Sequence, residues 1–129
     1  MTRIITYGTF DTFHWAHMNL LRRAREMGDW LGVGLSTDEF NAIKGKKSVF
    51  SYDQRKEILM GVKYIDEIFP EQDWGQKRAD IIKYQADIFV MGDDWRGQFD
   101  DFSDICRVIY LPRTPDISST IIKHLLGKK

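Results

Sequence analysis

A single cysteine, Cys106, in a chain of 129 residues leaves no partner for an intramolecular disulfide. It opens an apolar run, where a buried thiol is the ordinary reading and nothing points to a nucleophile. Only three prolines occur, and no linker, internal repeat or low-complexity tract interrupts the chain, so one domain over residues 1–129 is expected. Charge of either sign is missing in excess: 19 Lys and Arg offset 19 Asp and Glu, which excludes a global basic field for nucleic acid or acidic membranes. No run approaches the roughly 18 apolar residues of a membrane span. Met1 leads straight into Arg3-Ile4-Ile5-Thr6-Tyr7-Gly8, without the apolar core of about 7–15 residues that a signal peptide needs. These absences predict a cytoplasmic protein with neither a nucleic-acid nor a membrane partner. Any anion it binds must be held by local positive charge.

What is present is a core and an alternation. Hydrophobic residues make up 43% and aromatic residues 13% of the chain, enough to bury one compact interior. Short apolar runs at Ile4–Tyr7, Trp30–Leu35, Tyr64–Phe69, Ile88–Met91 and Val108–Leu111 read as buried strands. Between them fall helical periods: Leu20, Leu21 and Ala24; Ile58, Leu59 and Val62; Ile81, Ile82 and Tyr84; and, last, Ile121, Ile122, Leu125 and Leu126. Ser51, with Gln54 three residues on, reads as a helix N-cap, and Gly28 and Gly61 suit helix C-termini. The βα alternation predicts an α/β domain, a five-stranded parallel sheet with helices on both faces, whose ligands gather at the carboxyl ends of the strands.

The segment Gly8-Thr9-Phe10-Asp11-Thr12-Phe13-His14-Trp15-Ala16-His17 follows the first strand and so falls at that edge. With a helix beginning near Phe13, His14 and His17 share one face and reach an anion at the helix N-terminus, where N–H groups lack intrahelical partners. The stretch Ala42–Val49, with Lys44, Lys46 and Lys47, has the Gly and Lys content of a mobile loop.

Gly8-Thr9-Phe10-Asp11 followed by His14-x-x-His17 resembles the HxGH signature of the nucleotidyltransferase superfamily. Arg113-Thr114-Pro115-Asp116-Ile117-Ser118-Ser119-Thr120 looks like the RTEGISTT motif of cytidylyltransferases, and Val90-Met91-Gly92-Asp93-Asp94-Trp95 looks like their strand-four turn. Three motifs in order, over essentially the whole chain, are similar to the cytidylyltransferase family, and in particular to its members that act on glycerol 3-phosphate. Ala16 and Asp116 stand where those motifs carry Gly.

The resemblance implies a Rossmann-like fold, a homodimer, and transfer of a cytidylyl group from CTP to glycerol 3-phosphate, giving CDP-glycerol and pyrophosphate for a teichoic-acid-like or capsular polymer. It also implies Mg²⁺, carried by the phosphates of CTP as is usual for that ion, and no residue cluster has the spacing of a structural zinc site. His14, His17, Lys44, Lys46 and Arg113 are then expected to act on the reacting phosphates. Thr9, Phe10, Ile117, Ser118, Ser119 and Thr120 would bind the nucleotide, the last three also capping a final helix. Arg55 is expected to meet a phosphate through its planar fork, with surface pairing to Asp53, Glu57 or Asp66 as the other reading, and Lys63 to meet one near it. Asp94 accepts from ribose or acceptor hydroxyls while Asp93 shapes the turn, or the two exchange roles. Asp11 binds acceptor hydroxyls or helps place Mg²⁺ through water, or else makes an Asx-turn. Trp74 and Lys77 form part of the acceptor pocket, or merely pack and meet solvent. Other readings remain: transfer from CTP or ATP to another small alcohol or polyol phosphate, or a noncatalytic nucleotide-binding domain.

Overall fold

Alternate side chains of the first strand point into two different cores, and this decides the architecture. Ile4 packs with Leu21 and Ala24 on one face of the sheet and with Leu59 on the same side. Ile5 and Tyr7 pack on the other face with Ile81, Phe69 and Phe89. A strand buried on both faces belongs at the centre of a parallel sheet. The computed structural model describes residues 1–113 and places this strand there.

The strands are β1 (Arg3–Gly8), β2 (Trp30–Ser36), β3 (Glu67–Glu71), β4 (Ile88–Gly92) and β5 (Arg107–Leu111). They form one sheet in the order β3-β2-β1-β4-β5, parallel at every pairing. Four α-helices lie among them: α1 (Trp15–Arg25), α2 (Asp38–Ile43), α3 (Tyr52–Met60) and α4 (Lys77–Lys83). Helices α1 and α3 supply Leu21, Ala24 and Leu59 to one core. Helix α4, with Phe99 and Phe102 beside a 3₁₀ turn over Asp100–Asp104, covers the other. This is the expected Rossmann-like, doubly covered parallel sheet, and strand order reverses between β1 and β4. The expected last helix, and with it Asp116, Ile117, Ser118, Ser119 and Thr120, lies outside the described residues.

Local chemistry matches the expected helix ends. Ser51 caps α3, accepting from the Gln54 N–H at 3.3 Å while Gln54 Oε1 accepts from the Ser51 N–H at 3.1 Å, and Gly61 is the C-cap. Gly28 serves close approach instead: a Cβ there would sit 2.5 Å from the Thr2 carbonyl oxygen. Two boundaries move. Helix α1 starts at Trp15, because the His14 side chain caps it. Strand β3 runs later than Tyr64–Phe69 and includes Pro70, which an edge strand tolerates because its second side needs no N–H donor. Helix α2 was not anticipated; it is six residues long, capped by Thr37, too short to show a helical period.

Two expected phosphate ligands fall elsewhere. Lys63 is exposed in the connection from α3 to β3, and such αβ connections lie at the amino ends of parallel strands, opposite the ligand edge. Arg55 is fully buried and committed to protein. Its guanidinium donates to the carbonyls of Thr9 at 3.0 Å, Ser36 at 2.8 Å and Phe50 at 3.0 Å, and to Asp38 Oδ1 at 2.8 Å. None of the expected surface partners holds it. Replacing Arg55 with Met removes these donors from buried carbonyls while keeping most of the volume, and is expected to cost about 3–5 kcal/mol. Urea unfolding followed by circular dichroism measures this; a loss below about 1 kcal/mol would contradict the assigned role.

Candidate active site

A cleft of about 550 Å³ opens at the carboxyl edge of the sheet. The connections that follow β1, β2, β3 and β4 all line it, through Thr9, Phe10 and Asp11, through Lys44, Lys46 and Lys47 beyond α2, through Trp74 and Lys77 at the start of α4, and through Asp94 and Trp95.

The turn after β1 is held in an uncommon backbone. Phe10 (φ 51°) and Thr12 (φ 47°) are non-glycine residues in the left-handed region, a conformation that persists only where surroundings enforce it. Here they do. The Phe10 ring is buried in the core and meets His17 edge-on at 5.5 Å. Asp11 accepts from the N–H groups of Val49 at 2.7 Å and Phe50 at 3.0 Å, joining this turn to the end of the lysine loop. Thr9 Oγ1 donates to Asn41 Oδ1 at 3.0 Å, and Asn41 Nδ2 in turn donates to Ser48 at 2.9 Å. The lysine segment is therefore pinned at both ends.

The two histidines form a capping box made of imidazoles. His14 is the N-cap of α1 and its Nδ1 accepts from the Ala16 N–H at 3.2 Å. His17, at the third helical position, accepts the His14 N–H on its own Nδ1 at 3.3 Å, and the rings stack at 3.9 Å. An Nδ1 that accepts cannot carry the proton, so each neutral ring is the Nε2–H tautomer and a hydrogen-bond donor. Burial, with the neighbouring His14 adding to it, pushes His17 down to about 4, and burial lowers His14 as well. Both rings are thus neutral donors near neutral pH. The pair thus presents dipoles beside the positive end of a helix.

Across the cleft lies a buried ionic cluster. Lys77 and Glu71 are each 3% exposed and form an ion pair. Glu71 Oε1 accepts from the Ser36 hydroxyl at 2.7 Å, and that same hydroxyl accepts from Lys44 Nζ at 3.0 Å. The Lys77 ammonium also lies over the rings of Tyr7 at 4.8 Å, Trp74 at 5.6 Å and Phe99 at 5.6 Å. Burial brings Lys44 down to about 8.

At the rim, Asp94 stands in the 3₁₀ turn after β4, and Arg113 follows β5 with its Nη1 3.8 Å from Asp94 Oδ1. Asp93 holds Arg96, with Nε to Oδ1 at 2.6 Å, and so shapes that turn. The structure thus gathers Thr9, Phe10, Asp11, His17, Lys44, Lys46, Trp74, Lys77 and Asp94 around one cleft, with His14 stacked on His17 and Arg113 against Asp94. Glu71, Ser36, Tyr7 and Asn41 were missed. Glu71 and Ser36 are the last residues of β3 and β2, and a polar residue ending a buried strand is the signal that finds them. Among the described residues no three His, Cys, Asp or Glu lie close enough to hold a metal ion, and no helix is long and apolar enough to cross a membrane.

A switch-point cleft with imidazole donors at a helix N-terminus on one side and lysines on the other defines a nucleotidyltransferase of the α/β class. The sequence profile of the cytidylyltransferase-like family matches residues 5–125, and the chain belongs to that family. It is 58% identical over 129 residues to a glycerol-3-phosphate cytidylyltransferase of Staphylococcus aureus, covering 99% of this chain and 98% of that protein. A Bacillus subtilis protein of the same name is 56% identical over 124 residues, 96% of each chain. Among solved structures, a lipopolysaccharide core biosynthesis protein from Thermoplasma volcanium superposes with a TM-score of 0.74 at 24% identity, over 88% of this chain and 97% of that one, which supports the fold.

The buried His17 makes stability pH-dependent on the acid side. Unfolded, its ring takes a proton near 6.5; folded, only near 4. Between those values the unfolded state holds more protons, so stability falls as pH falls through that window, by roughly 2–3 kcal/mol from this residue. His17→Asn, which keeps an acceptor near the Nδ1 position, is expected to flatten the slope in denaturation midpoints from pH 7 to pH 4. An unchanged slope would show that His17 is not the group responsible.

Proposed function

We propose that this cleft transfers a cytidylyl group from CTP to glycerol 3-phosphate, forming CDP-glycerol and releasing pyrophosphate. The observation that carries the reading is the facing of two anion stations across one cleft, the neutral imidazole donors of α1 and the Lys44 and Lys77 ammonium groups. The named activity of the near-full-length relatives supports the same pair of substrates.

In this reading the CTP phosphates lie against the N-terminus of α1, where the imidazoles and helix N–H groups meet them without moving a proton. Lys46 neutralises phosphate charge from the loop after α2, and Arg113 does so from the end of β5. Lys44, Lys77 and Trp74 take the acceptor, and Asp94 accepts from a hydroxyl. A phosphate oxygen of glycerol 3-phosphate attacks the α-phosphorus in line, forming the new phosphoanhydride bond as the bond to the β-phosphate oxygen breaks and pyrophosphate leaves. No covalent enzyme intermediate is needed, because positioning and charge neutralisation supply the acceleration.

Two cleft carboxylates, Asp11 and Glu71, are already engaged with N–H, O–H or ammonium donors. That arrangement fits Mg²⁺ brought in by the nucleotide and held by phosphate oxygens and water, supplying charge neutralisation on the leaving group. The working protein in this proposal is a cytoplasmic homodimer that supplies CDP-glycerol to a teichoic-acid-like or capsular polymer.

The test is pyrophosphate release with Mg²⁺, CTP and sn-glycerol 3-phosphate, the product confirmed by mass, with ATP and other polyol phosphates alongside. CTP-dependent release with glycerol 3-phosphate is expected; binding of CTP with no release for any acceptor would overturn the reading in favour of a noncatalytic domain. His14→Ala is expected to lower kcat by about 10²–10³-fold and stability by about 1 kcal/mol, the first from lost phosphate contact and the second from the lost cap. Turnover at the wild-type level in that variant would remove His14 from the mechanism.

A further inference from the structure

Two lysines aimed at one cleft repel each other, and in a partly buried site each loses hydration as well. Such a pair stays charged and ordered only where a resident anion offsets it. The described structure holds that anion between them. Glu71 Oε2 pairs with Lys77, and Oε1 takes the Ser36 hydroxyl at 2.7 Å, which accepts from Lys44 at 3.0 Å. Ser36 is 0% exposed, so this link has no water to compete with it. With a lysine as donor on one side and a carboxylate as acceptor on the other, the hydroxyl has a single orientation.

We propose that Glu71 is a positioning residue of the reaction, holding Lys77 directly and Lys44 through Ser36 so that both ammonium groups face the acceptor's phosphate in fixed register. The proposal rests on the acceptor reading given above. Glu71 acts through the lysines it holds rather than on the substrate. Its carboxylate leaves the two lysines a net single positive charge, enough to attract a phosphate monoester without the cost of two unpaired buried cations. The charged groups facing Lys44 from its neighbours are Glu71 on β3, Lys77 on α4, Arg55 on α3 and Lys46 of its own loop. Glu71 is the carboxylate among them, and its field opposes the burial that brings Lys44 to about 8. An uncharged residue at position 71 would leave Lys44 with cations alone.

The experiment has two readings. Without substrates, the lysine ammonium groups of ¹³C-lysine-labelled protein are titrated by NMR in the wild type, Ser36→Ala and Glu71→Gln. Lys44 is expected to move to lower pH, by about half a unit in Ser36→Ala and about one unit in Glu71→Gln. In steady-state kinetics, Glu71→Gln is expected to raise KM for glycerol 3-phosphate about tenfold with KM for CTP changed less than about twofold. The alkaline limb of kcat/KM for the acceptor then follows the Lys44 titration. A Lys44 titration that stays in place, or KM values that rise equally for both substrates, overturns the proposal. Should Glu71→Gln fail to fold, Ser36→Ala keeps the Glu71–Lys77 pair and carries the same two readings. A wild type that makes no CDP-glycerol would sink the acceptor reading, while the NMR titration still decides whether Glu71 holds Lys44.

Discussion

The buried guanidinium of Arg55 is the point on which the cleft hangs. The carboxyl ends of parallel strands present carbonyls that the sheet no longer pairs, at the edge where a ligand must enter. Arg55 gathers two such groups, the carbonyl of Thr9 after β1 and that of Ser36 ending β2, and with them that of Phe50 at the close of the lysine loop. Each belongs to a different segment of the chain. The histidine turn, the residue that bridges Glu71 and Lys44, and the end of the lysine segment are thereby tied to one rigid fork. A buried cation is costly, yet this one is surrounded by carbonyl dipoles and paired with a half-exposed Asp38, so it is satisfied without a second buried charge. Its N–H groups do not reach the cleft, but its charge does, adding to the field felt by Lys44.

A chain of zero net charge takes a polyanion by dividing the labour between dipoles and cations. The α1 side uses neutral imidazoles and backbone N–H groups, which need no counter-ion and no change of protonation as charge shifts among phosphate oxygens. The facing side uses ammonium groups, and there the compensation is a buried carboxylate. The two solutions differ because their surroundings differ. In the capping box the imidazoles and backbone N–H groups satisfy one another without a charge, whereas the end of β3 places Glu71 where α4 begins.

The parallel strands, double coverage of the sheet and most cleft residues could be read from the sequence because they depend on period and on position along a parallel strand. Ile4 and Ile5 are adjacent and both apolar, which only a doubly covered strand explains, and everything that follows a strand end then converges on one edge. What could not be read depends on which way a side chain turns. Arg55 sits near that edge and has the chemistry of a phosphate ligand, but three carbonyls claimed it first. Lys63 shares its charge and lies eight residues on, past the end of the helix, where the chain has already reached the amino ends of the strands. Strand β3 was ended too early at Phe69, and with it went Glu71; Pro70 breaks a central strand but not an edge one. The Ser-Thr segment and Asp116 lie outside the described residues.

The spacing of the histidines gains its explanation from the helix rather than from the ligand. An N-cap and the third helical residue are the two positions that can satisfy each other's backbone N–H groups, and His14 and His17 occupy them, as Ser51 and Gln54 do in α3. The two residues between are then ordinary first-turn positions. Trp15 is 64% exposed, and Ala16 has no positive φ, its N–H being the one that His14 receives. Glycine is required where the backbone is left-handed, and position 16 makes no such demand. In a first helical turn Ala costs about 1 kcal/mol less than Gly, so the residue that departs from the signature reinforces the cap on which the imidazole geometry depends.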